Sequence, residues 1–298
     1  MKKVVVVMSA YNGAQFIEKQ IRSIFAQKDV DVNCLIRDDG SKDDTLDKLE
    51  ELKNDFKKID IIRGENVGWE KSFLLALKAA DDAEYYAFSD QDDIWFENKL
   101  IKEIKELEKH DNEKPLMVHC NRISCDEKLV PIKPAPKLAR PLNRKNALVQ
   151  EYAQGCTIVL NKKAKELVTR SMPKCKIPHD MWTGMICYLF GEVYYLSDPL
   201  FYHINHENNA SGAGHIYKSR LGRLKKIIKG GSYPNAARDI LDIYGDLISK
   251  EDEVFLKRAA GACKNISDRV NLLFDFDFRR KFLIGTLSLK YVVLRGRF

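Results

Sequence analysis

The sequence predicts an α/β protein, in which a mostly parallel, doubly wound central sheet is flanked by helices and followed by a helical C-terminal region. Two observations carry this prediction. Over about the first 120 residues, short apolar runs alternate with segments whose apolar residues recur at helical spacing, the pattern of consecutive βαβ units. Beyond residue 215 only helical patterns remain, with a basic bias. We therefore expect one domain at residues 1–215 and a helical region at residues 216–298.

The predicted strands of the first half are continuous β-branched or aromatic runs, which are typical of strands covered on both faces. They lie at residues 4–8, 32–36, 59–62, 85–88 and 116–120, with helices at 16–25, 46–56, 73–77 and 97–109. The polar loops follow the carboxyl ends of the strands. They should therefore gather at one edge of the sheet, where open α/β sheets bind their ligands.

The second half is predicted to contain less regular elements. Prolines among basic residues indicate a long surface loop over residues 126–145, and these prolines are Pro131, Pro134, Pro136 and Pro141. A strand is expected at 156–160, a helix around residues 180–190, and two short strands at 193–196 and 200–203.

The composition favours a soluble cytoplasmic protein. The chain is 45% hydrophobic and 31% charged, which is ordinary for a globular protein. Its seven cysteines are odd in number, scattered and without a Cys-x-x-Cys pair. This pattern argues against a disulfide framework and a zinc ribbon, and it fits a reducing compartment. The first residues become polar too soon for a signal peptide.

The net charge of +7 is unevenly distributed. Residues 1–215 carry a net of −2, whereas residues 216–298 carry 18 basic and 9 acidic side chains, a net of +9. Basic and apolar residues alternate in 217–229 and again in the last twenty residues. This predicts amphipathic helices that lie peripherally on the anionic inner face of a membrane. The alternative is that these helices pack together or form the interface of a homo-oligomer. Nucleic acid is not expected as a partner.

The most informative segment runs from Phe88 to Trp95 and places Asp90, Asp92 and Asp93 directly after a predicted strand. An Asp-x-Asp pair there can hold a divalent cation through oxygen, and the cation can neutralise a diphosphate. The alternative is an acidic turn that caps the following helix. The segment alone does not decide between them.

Read in order, the loops that follow the strands form a recognisable series. They are Ser9-Ala10-Tyr11-Asn12-Gly13, Arg37-Asp38-Asp39-Gly40-Ser41, Asn66-Val67-Gly68, Ser89-Asp90-Gln91-Asp92-Asp93-Ile94-Trp95, Gln154-Gly155-Cys156-Thr157, His179-Asp180 and His206-Glu207-Asn208-Asn209. The series resembles that of the inverting family 2 glycosyltransferases of the GT-A fold, above all the bacterial rhamnosyltransferases of cell-surface polysaccharide synthesis. The resemblance covers residues 3–212, and the C-terminal third matches no motif.

The resemblance implies a nucleotide-sugar site along the first four loops. Its candidate residues are Ser9, Ala10, Tyr11, Asn12, Asp38, Asp39, Asn66, Gly68, Asp90 and Gln91. Carboxylates at positions 38 and 39 can accept hydrogen bonds from a pyrimidine N–H and from ribose hydroxyls. Their alternative role is an Asx-turn beside a helix cap at Ser41 or Asp43. This chain has Ser72 where the family often has Asn, which weakens the case for a donor-sugar contact there.

The resemblance also implies a divalent metal, Mn²⁺ or Mg²⁺, held by Asp90, Asp92 and His206, since imidazole suits manganese beside carboxylate oxygen. His203 is a weaker candidate, and Asp93 is expected to cap the following helix. Asp180 is the implied general base that deprotonates the acceptor hydroxyl. Its alternative role is the N-cap of the helix that follows.

These assignments predict an inverting, metal-dependent glycosyltransferase. It would transfer a sugar, with rhamnose as one candidate, from a dTDP- or UDP-linked donor to a hydroxyl of a growing lipid-linked or cell-wall glycan. A rival enzyme class is the sugar nucleotidyltransferases, but residues 9–14 contain one Gly and no basic residue to bind a triphosphate. A rival from another class is a non-catalytic, nucleotide-sugar-binding assembly module at the membrane.

Overall fold

The computed structural model describes residues 1–133, 143–150, 153–206 and 233–298. Its strands are β1 (Lys2–Ala10), β2 (Val30–Asp38), β3 (Ile59–Arg63), β4 (Tyr85–Ser89), β5 (Asp93–Trp95), β6 (Leu116–Cys125), β7 (Pro131–Lys133), β8 (Ile158–Asn161) and β9 (Glu192–Ile204). Its helices are α1 (Ile17–Phe25), α2 (Thr45–Asp55), α3 (Trp69–Ala79), α4 (Lys99–Leu107), α5 (Arg144–Ala147), α6 (Lys162–Val168), α7 (His179–Phe190), α8 (Tyr233–Tyr244), α9 (Lys250–Gly261), α10 (Ile266–Phe274) and α11 (Leu283–Leu294). A 3₁₀ turn, Gly155–Thr157, precedes β8.

The strands form one sheet in the order β3-β2-β1-β4-β8-β6-β9-β5, with β7 paired to β6. In the half containing β1 to β4 all neighbours are parallel, so that Ala10 is level with Asp38 and Met8 with Ser89. In the other half β8 is antiparallel to β4 and β6, whereas β9 is parallel to β6 and antiparallel to β5. The predicted α/β class is confirmed, and the carboxyl ends of β1, β2 and β4 lie side by side.

The first strand shows why the sequence forms this layered fold. Val4 and Val6 belong to the core on one face of the sheet, and Val5 and Val7 to the core on the other. All four are buried, as expected for a central strand covered by helices on both faces. The continuous β-branched run is therefore the sequence signature of this two-sided burial.

Two parts of the second half differ from the prediction. The two short strands expected at 193–196 and 200–203 form one strand, β9, because register shifts beside Asn121 and Pro199 let it continue past its polar middle. The predicted proline-rich loop contains β7, which pairs with the end of β6. The other prolines of that loop, Pro134, Pro136 and Pro141, lie outside the described residues.

The C-terminal helices α8 to α11 pack against α5, α6 and α7 and share the core that contains Val5 and Val7. Tyr244 of α8 donates a hydrogen bond to the carbonyl oxygen of Leu167 at 2.9 Å. Residues 233–298 are thus helical, as expected, whereas the predicted boundary near residue 215 and the segment 217–229 fall outside the described residues. Of the described helices, none has the length and apolar character needed to cross a membrane.

A buried ion pair lies within α4, the helix that follows the acidic segment at residues 90–93. The ammonium group of Lys99 contacts the Glu103 carboxylate at 2.7 Å, and both side chains are 0% exposed. The Lys99 nitrogen also lies 4.3 Å from the centre of the Trp95 ring. Burial raises the pKa of Glu103, while the charge of Lys99 opposes that rise. The pair therefore anchors α4 to β5, the strand that contains Asp93.

We expect Glu103→Ala to lower the free energy of unfolding by about 3–5 kcal/mol, because it leaves the Lys99 ammonium buried without a countercharge. Lys99→Met combined with Glu103→Leu should recover most of that loss, since a packed apolar pair has no charge to desolvate. Urea unfolding monitored by circular dichroism measures both.

Lys102→Ala is the matched control on the same helix, because Lys102 forms an exposed pair with Asp198. It should change the free energy of unfolding by less than about 1 kcal/mol. An effect of Glu103→Ala as small as that of the control would contradict the assignment of the buried pair.

Candidate functional site

The loops after β1 and β4 are joined by one side chain. The backbone N–H of Tyr11 donates to Oε1 of Gln91 at 2.9 Å, and Nε2 of Gln91 donates to the Tyr11 carbonyl oxygen at 3.1 Å. A Cβ atom at Gly13 would lie 2.2 Å from the same Oε1, so a larger residue at this position would displace the Gln91 side chain. Gln91 thereby fixes the backbone beside Tyr11, whose side chain is 42% exposed.

The loops after β1 and β2 are joined through Asn12. Its backbone N–H donates to Oγ of Ser41 at 3.0 Å, and its side-chain Oδ1 accepts from the backbone N–H of Lys42 at 2.8 Å. Asn12 has φ of 48°, in the left-handed region that Asn tolerates better than most residues. The side chain of Asn12 is therefore used to hold the two loops together.

Asp38 is buried and forms the Asx-turn that was its predicted alternative role. Its Oδ2 accepts from the backbone N–H groups of Gly40 at 3.1 Å and Ser41 at 3.0 Å, and its Oδ1 accepts from the Ser41 hydroxyl. Turns of this kind are a common use of Asp after a strand. A contact between Asp38 and a nucleotide stays a prediction.

Asp39 is buried as well and links the second loop to the third. Its two oxygens accept from the backbone N–H groups of Val67 at 3.0 Å and Gly68 at 2.9 Å. It also forms an ion pair with Arg37. Gly68 adopts φ of 84° at the start of α3, a conformation that suits glycine. Asp39 therefore shapes the turn containing Asn66, and its contact with a nucleotide also stays a prediction.

Ser72 joins three elements beneath these loops. Its hydroxyl oxygen accepts from Arg37 at 2.9 Å and from the Ser9 hydroxyl at 2.6 Å, and the Ser72 side chain is buried. The other guanidinium nitrogen of Arg37 donates to the Glu65 carbonyl oxygen at 3.0 Å. The serine that departs from the family pattern thus lies within a buried network that links α3 to Ser9 of β1 and Arg37 of β2.

Three carboxylates crowd the end of β4. Burial, followed by the neighbouring charges of Asp93 and Asp92, raises the pKa of Asp90 to about 7. Burial and the charge of Asp93 also raise the pKa of Asp92. Negative charge in this loop is therefore costly unless a cation or a proton compensates it.

Asp93 lies in β5 and does not cap α4, so that prediction is wrong; the residue at the N-cap position is Asn98. Asp93 is level with His203 of β9, and its Oδ1 lies 2.9 Å from Nδ1 of His203. Burial opposes charge on His203, but the hydrogen bond to Asp93 and the charges of Asp93 and Asp90 together outweigh it and raise the pKa of the imidazole. The buried Oδ2 of Asp93 has no hydrogen-bond partner among the described residues.

Asp92 and His206 form a second carboxylate–imidazole pair. Oδ2 of Asp92 lies 2.7 Å from Nε2 of His206, whose ring stacks on Phe16 with centroids 4.2 Å apart. A cavity of about 110 Å³ beside the pair is lined by Phe16, Lys19, Asp92 and Asp93, among others. The structure thus brings together Asp92 and His206 of the predicted metal set. The Asn208-Asn209 pair that follows lies outside the described residues.

A metal ion also has candidate ligands on the inner side of this loop. Ligand atoms of Asp90, Asp93, Cys156 and His203 all lie within 4.8 Å of one another. Carboxylate and imidazole groups suit a divalent cation such as Mn²⁺. The Asp93 oxygen has no hydrogen-bond partner in the described part of the chain, and burial with neighbouring charge raises the pKa of Asp90; both features indicate negative charge that a cation would compensate. The residues present therefore fit a divalent metal.

Asp180 lies in the first turn of α7, on another part of the same sheet edge. The helix begins at His179 after Pro178, and Oδ1 of Asp180 accepts from the backbone N–H of Met181 at 2.7 Å. Asp180 therefore does not occupy the N-cap position. It is buried and lines a narrow cavity with Gln150 and Gly184, among others.

His179 connects α7 with α3 through an aromatic cluster. Its ring stacks on Phe73 at 4.0 Å and meets Phe88 edge-on at 4.9 Å. Burial lowers the pKa of His179 to about 3, so the imidazole is neutral near pH 7. A Cβ atom at Gly155 would lie 2.2 Å from Nε2 of His179. The position of Asp180 thus depends on the close packing of His179 between α3 and the turn before β8.

Sequence reasoning missed the buried polar residues that support the loops. Gln20, in the apolar stripe of α1, is hydrogen-bonded to the Ser89 hydroxyl at 2.6 Å. Thr45 accepts from the backbone N–H of Gly13 at 2.8 Å, and Arg37 is buried at the end of β2. A polar residue within an apolar stripe, such as Gln20, is the one sequence signal that could have indicated this support.

Solved structures share this fold. The structure of S. aureus TarS 1-349 in complex with UDP-GlcNAc aligns with a TM-score of 0.61 at 15% identity, over 99% of this chain and 91% of that chain. The mannosyltransferase PcManGT from Pyrobaculum calidifontis, in complex with GDP-Man and Mn²⁺, aligns with a TM-score of 0.52 at 15% identity, over 99% and 86% of the two chains. These likenesses confirm the predicted GT-A fold.

Sequence comparison gives the family. The chain is 28% identical over 234 residues to the dTDP-rhamnosyl transferase RfbG of Shigella flexneri, which covers 73% of this chain and 78% of the relative. The model of the family described as Glycosyl transferase family 2 matches residues 5–167, more than half of the chain. That segment contains the loops after β1 to β4, whereas Asp180 and His206 lie beyond it. The resemblance of the ordered loops is confirmed, and the chain belongs to glycosyl transferase family 2.

Proposed function

We propose that this glycosyltransferase is metal-dependent and inverting, with Asp92 and His206 on the donor side and Asp180 as the general base. Two groups at the sheet edge support the proposal. The structure has a carboxylate–imidazole pair, Asp92–His206, at the loop after β4, and a buried carboxylate, Asp180, at the start of α7. A leaving diphosphate needs charge compensation and an acceptor hydroxyl needs a base. The Asp92–His206 pair would hold the cation that compensates the diphosphate charge, and Asp180 would serve as the base for the acceptor hydroxyl.

We propose a dTDP- or UDP-linked sugar as the donor, with rhamnose as the favoured sugar. The similarity to a dTDP-rhamnosyl transferase over most of both chains supports this choice. The joined loops after β1 and β2 form a rigid edge with Tyr11 partly exposed, which suits stacking on a base. Asp38, Asp39, Asn66 and Gly68 would shape this edge, together with Ser9, Ala10, Asn12, Asp90 and Gln91.

The metal would be Mn²⁺ or Mg²⁺, held by Asp92 and His206 with Asp90. When bound, a divalent metal neutralises charge on the leaving diphosphate. The protein's part is to keep the ligands in place. Gln91, next to Asp92, is fixed to the Tyr11 backbone, and His206 is held by stacking on Phe16. Such support keeps ligand orientation within the narrow range that catalysis needs.

Asp180 would take the proton of the acceptor hydroxyl as that oxygen bonds to the anomeric carbon. The bond from this carbon to the diphosphate oxygen breaks on the opposite face, so the configuration inverts. An ordinary carboxylate suffices because the hydroxyl proton becomes acidic only as the new bond forms. The acceptor would be a lipid-linked or cell-wall glycan, entering on the side of α7.

Substitution of Asp92 tests the metal site. Asp92→Asn should lower transfer by about 10²- to 10³-fold and weaken metal-dependent nucleotide binding, since it removes charge from the metal site. Donor-sugar transfer and manganese-dependent thermal stabilisation by dTDP- and UDP-sugars measure the two effects. Asp198→Asn, on an exposed carboxylate paired with Lys102, is the control. A manganese dependence equal to that of the wild type would contradict the metal role.

Substitution of Asp180 tests the general base. Asp180→Asn should reduce kcat by about 10²- to 10⁴-fold while donor affinity stays near the wild-type value, because a base acts on the acceptor in the transition state. Turnover is compared with donor affinity from calorimetry. Asp246→Asn, on an exposed carboxylate paired with Arg170, should leave both unchanged. Loss of donor affinity with turnover of bound donor preserved would exclude Asp180 as the base.

A further inference from the structure

Helix α11 is apolar on two opposite faces. Leu289, Val292 and Val293 are buried against the C-terminal helices. Five further apolar residues are exposed, namely Leu283, Ile284, Leu287, Tyr291 and Leu294. At about 100° per residue, these five fall within an arc of about 100° on the other side of the helix. The exposed set is therefore a continuous apolar stripe and not a scatter of single residues.

Three exposed phenylalanines extend this stripe. Phe282 directly precedes α11, and Phe274 and Phe276 are 74% and 90% exposed. The ammonium group of Lys290 on α11 donates to the carbonyl oxygens of Leu272 at 2.6 Å and Asp275 at 2.8 Å. These bonds hold the turn with Phe274 and Phe276 against α11. We call the combined surface the C-terminal apolar face; its residues are Phe274, Phe276, Phe282, Leu283, Ile284, Leu287, Tyr291 and Leu294.

The charge along residues 279–298 has one sign, whereas Asp277, exposed beside Phe276, places an acidic group at the other end of the face. Residues 279–298 contain six Lys and Arg residues and no Asp or Glu. Arg295 and Arg297 are exposed at the end of α11, and the Lys281 ammonium lies 5.2 Å from the Phe282 ring centre. An apolar surface with a basic rim is complementary to a layer that is apolar inside and anionic at its surface. A two-fold dimer that brought the α11 ends of two copies together would set Arg295 and Arg297 against like charges, which is unfavourable.

We propose that the C-terminal apolar face docks on the surface of an anionic phospholipid bilayer. The phenylalanine, leucine and isoleucine side chains enter the boundary between headgroups and acyl chains. The rim cations contact the lipid phosphates. The arrangement is peripheral, because the stripe covers one side of a twelve-residue helix whose other side is packed on the protein.

The face begins beside the cavity that contains Asp180. The backbone N–H of Lys281 donates to Oε1 of Gln150 at 2.7 Å, and Gln150 lines that cavity. Phe282 is the next residue along the chain. A docked bilayer therefore lies on the acceptor side of the enzyme, where a lipid-linked glycan could reach Asp180. This placement rests on the proposed role of Asp180, whereas the docking itself does not.

The test uses the full chain and phosphatidylcholine vesicles with or without phosphatidylglycerol. The variant Ile284→Ser/Leu287→Ser removes two apolar contacts from the centre of the stripe. Its vesicle affinity should fall about tenfold or more. The control Val130→Ser/Val254→Ser changes two exposed apolar residues elsewhere and should sediment with vesicles as the wild type does. Equal thermal unfolding midpoints establish that the variants are folded.

Binding should require phosphatidylglycerol and weaken with salt, as the Debye length falls from about 10 Å at 0.1 M to about 3 Å at 1 M. Absence of binding by the wild type, or unchanged binding by Ile284→Ser/Leu287→Ser, overturns the proposal. A fall from dimer to monomer in that variant, without vesicle binding by the wild type, assigns the face to a second copy. Asp92→Asn should still sediment with vesicles, so failure of the proposed reaction and failure of docking are distinguishable.

Discussion

The structure depends on how negative charge is accommodated at the end of β4. Three carboxylates lie within four positions there, and two of them meet imidazoles more than one hundred residues later in the chain, His203 in β9 and His206 directly after it. The β5–β9 ladder sets Asp93 level with His203. In α4, the buried Lys99–Glu103 pair places the Lys99 ammonium group against the Trp95 ring of β5. The second half of the sheet therefore serves to bring basic groups to a loop that the first half supplies.

The residues of the family motifs have two different structural uses. Asp38, Asp39 and Gln91 have their polar atoms engaged in hydrogen bonds to neighbouring loops. Tyr11 and Asn66 are exposed at the same edge. A motif read from the sequence does not separate these uses, because both kinds of residue follow a strand. The first kind fixes the loop backbone before any ligand binds, and such preorganisation lowers the entropy cost of binding.

The sequence predicted the elements whose signal is local. The β-branched run of β1 and the helical stripe of α1 were found where the structure has them, because burial on both faces or on one face sets their periodicity. The three-residue strand β5 was missed, since such a strand has no period of its own and exists only by pairing with β9. The predicted role of Asp93 as a helix cap was wrong for the same reason, because Asp93 belongs to this strand. Likewise, composition indicated that α11 is apolar but not which of its two faces the protein covers.

The segment that identifies the family is not a self-sufficient folding unit. The match ends at residue 167, within α6, yet β6 pairs along most of its length with β9, which begins at Glu192. A protein cut at the match boundary would leave β6 with an open edge, a known template for aggregation. It would also leave Asp92 and Asp93 without their imidazoles. Chimeras between relatives should therefore exchange segments only beyond His206, where the sheet is complete and both histidines stay with their own acidic loop.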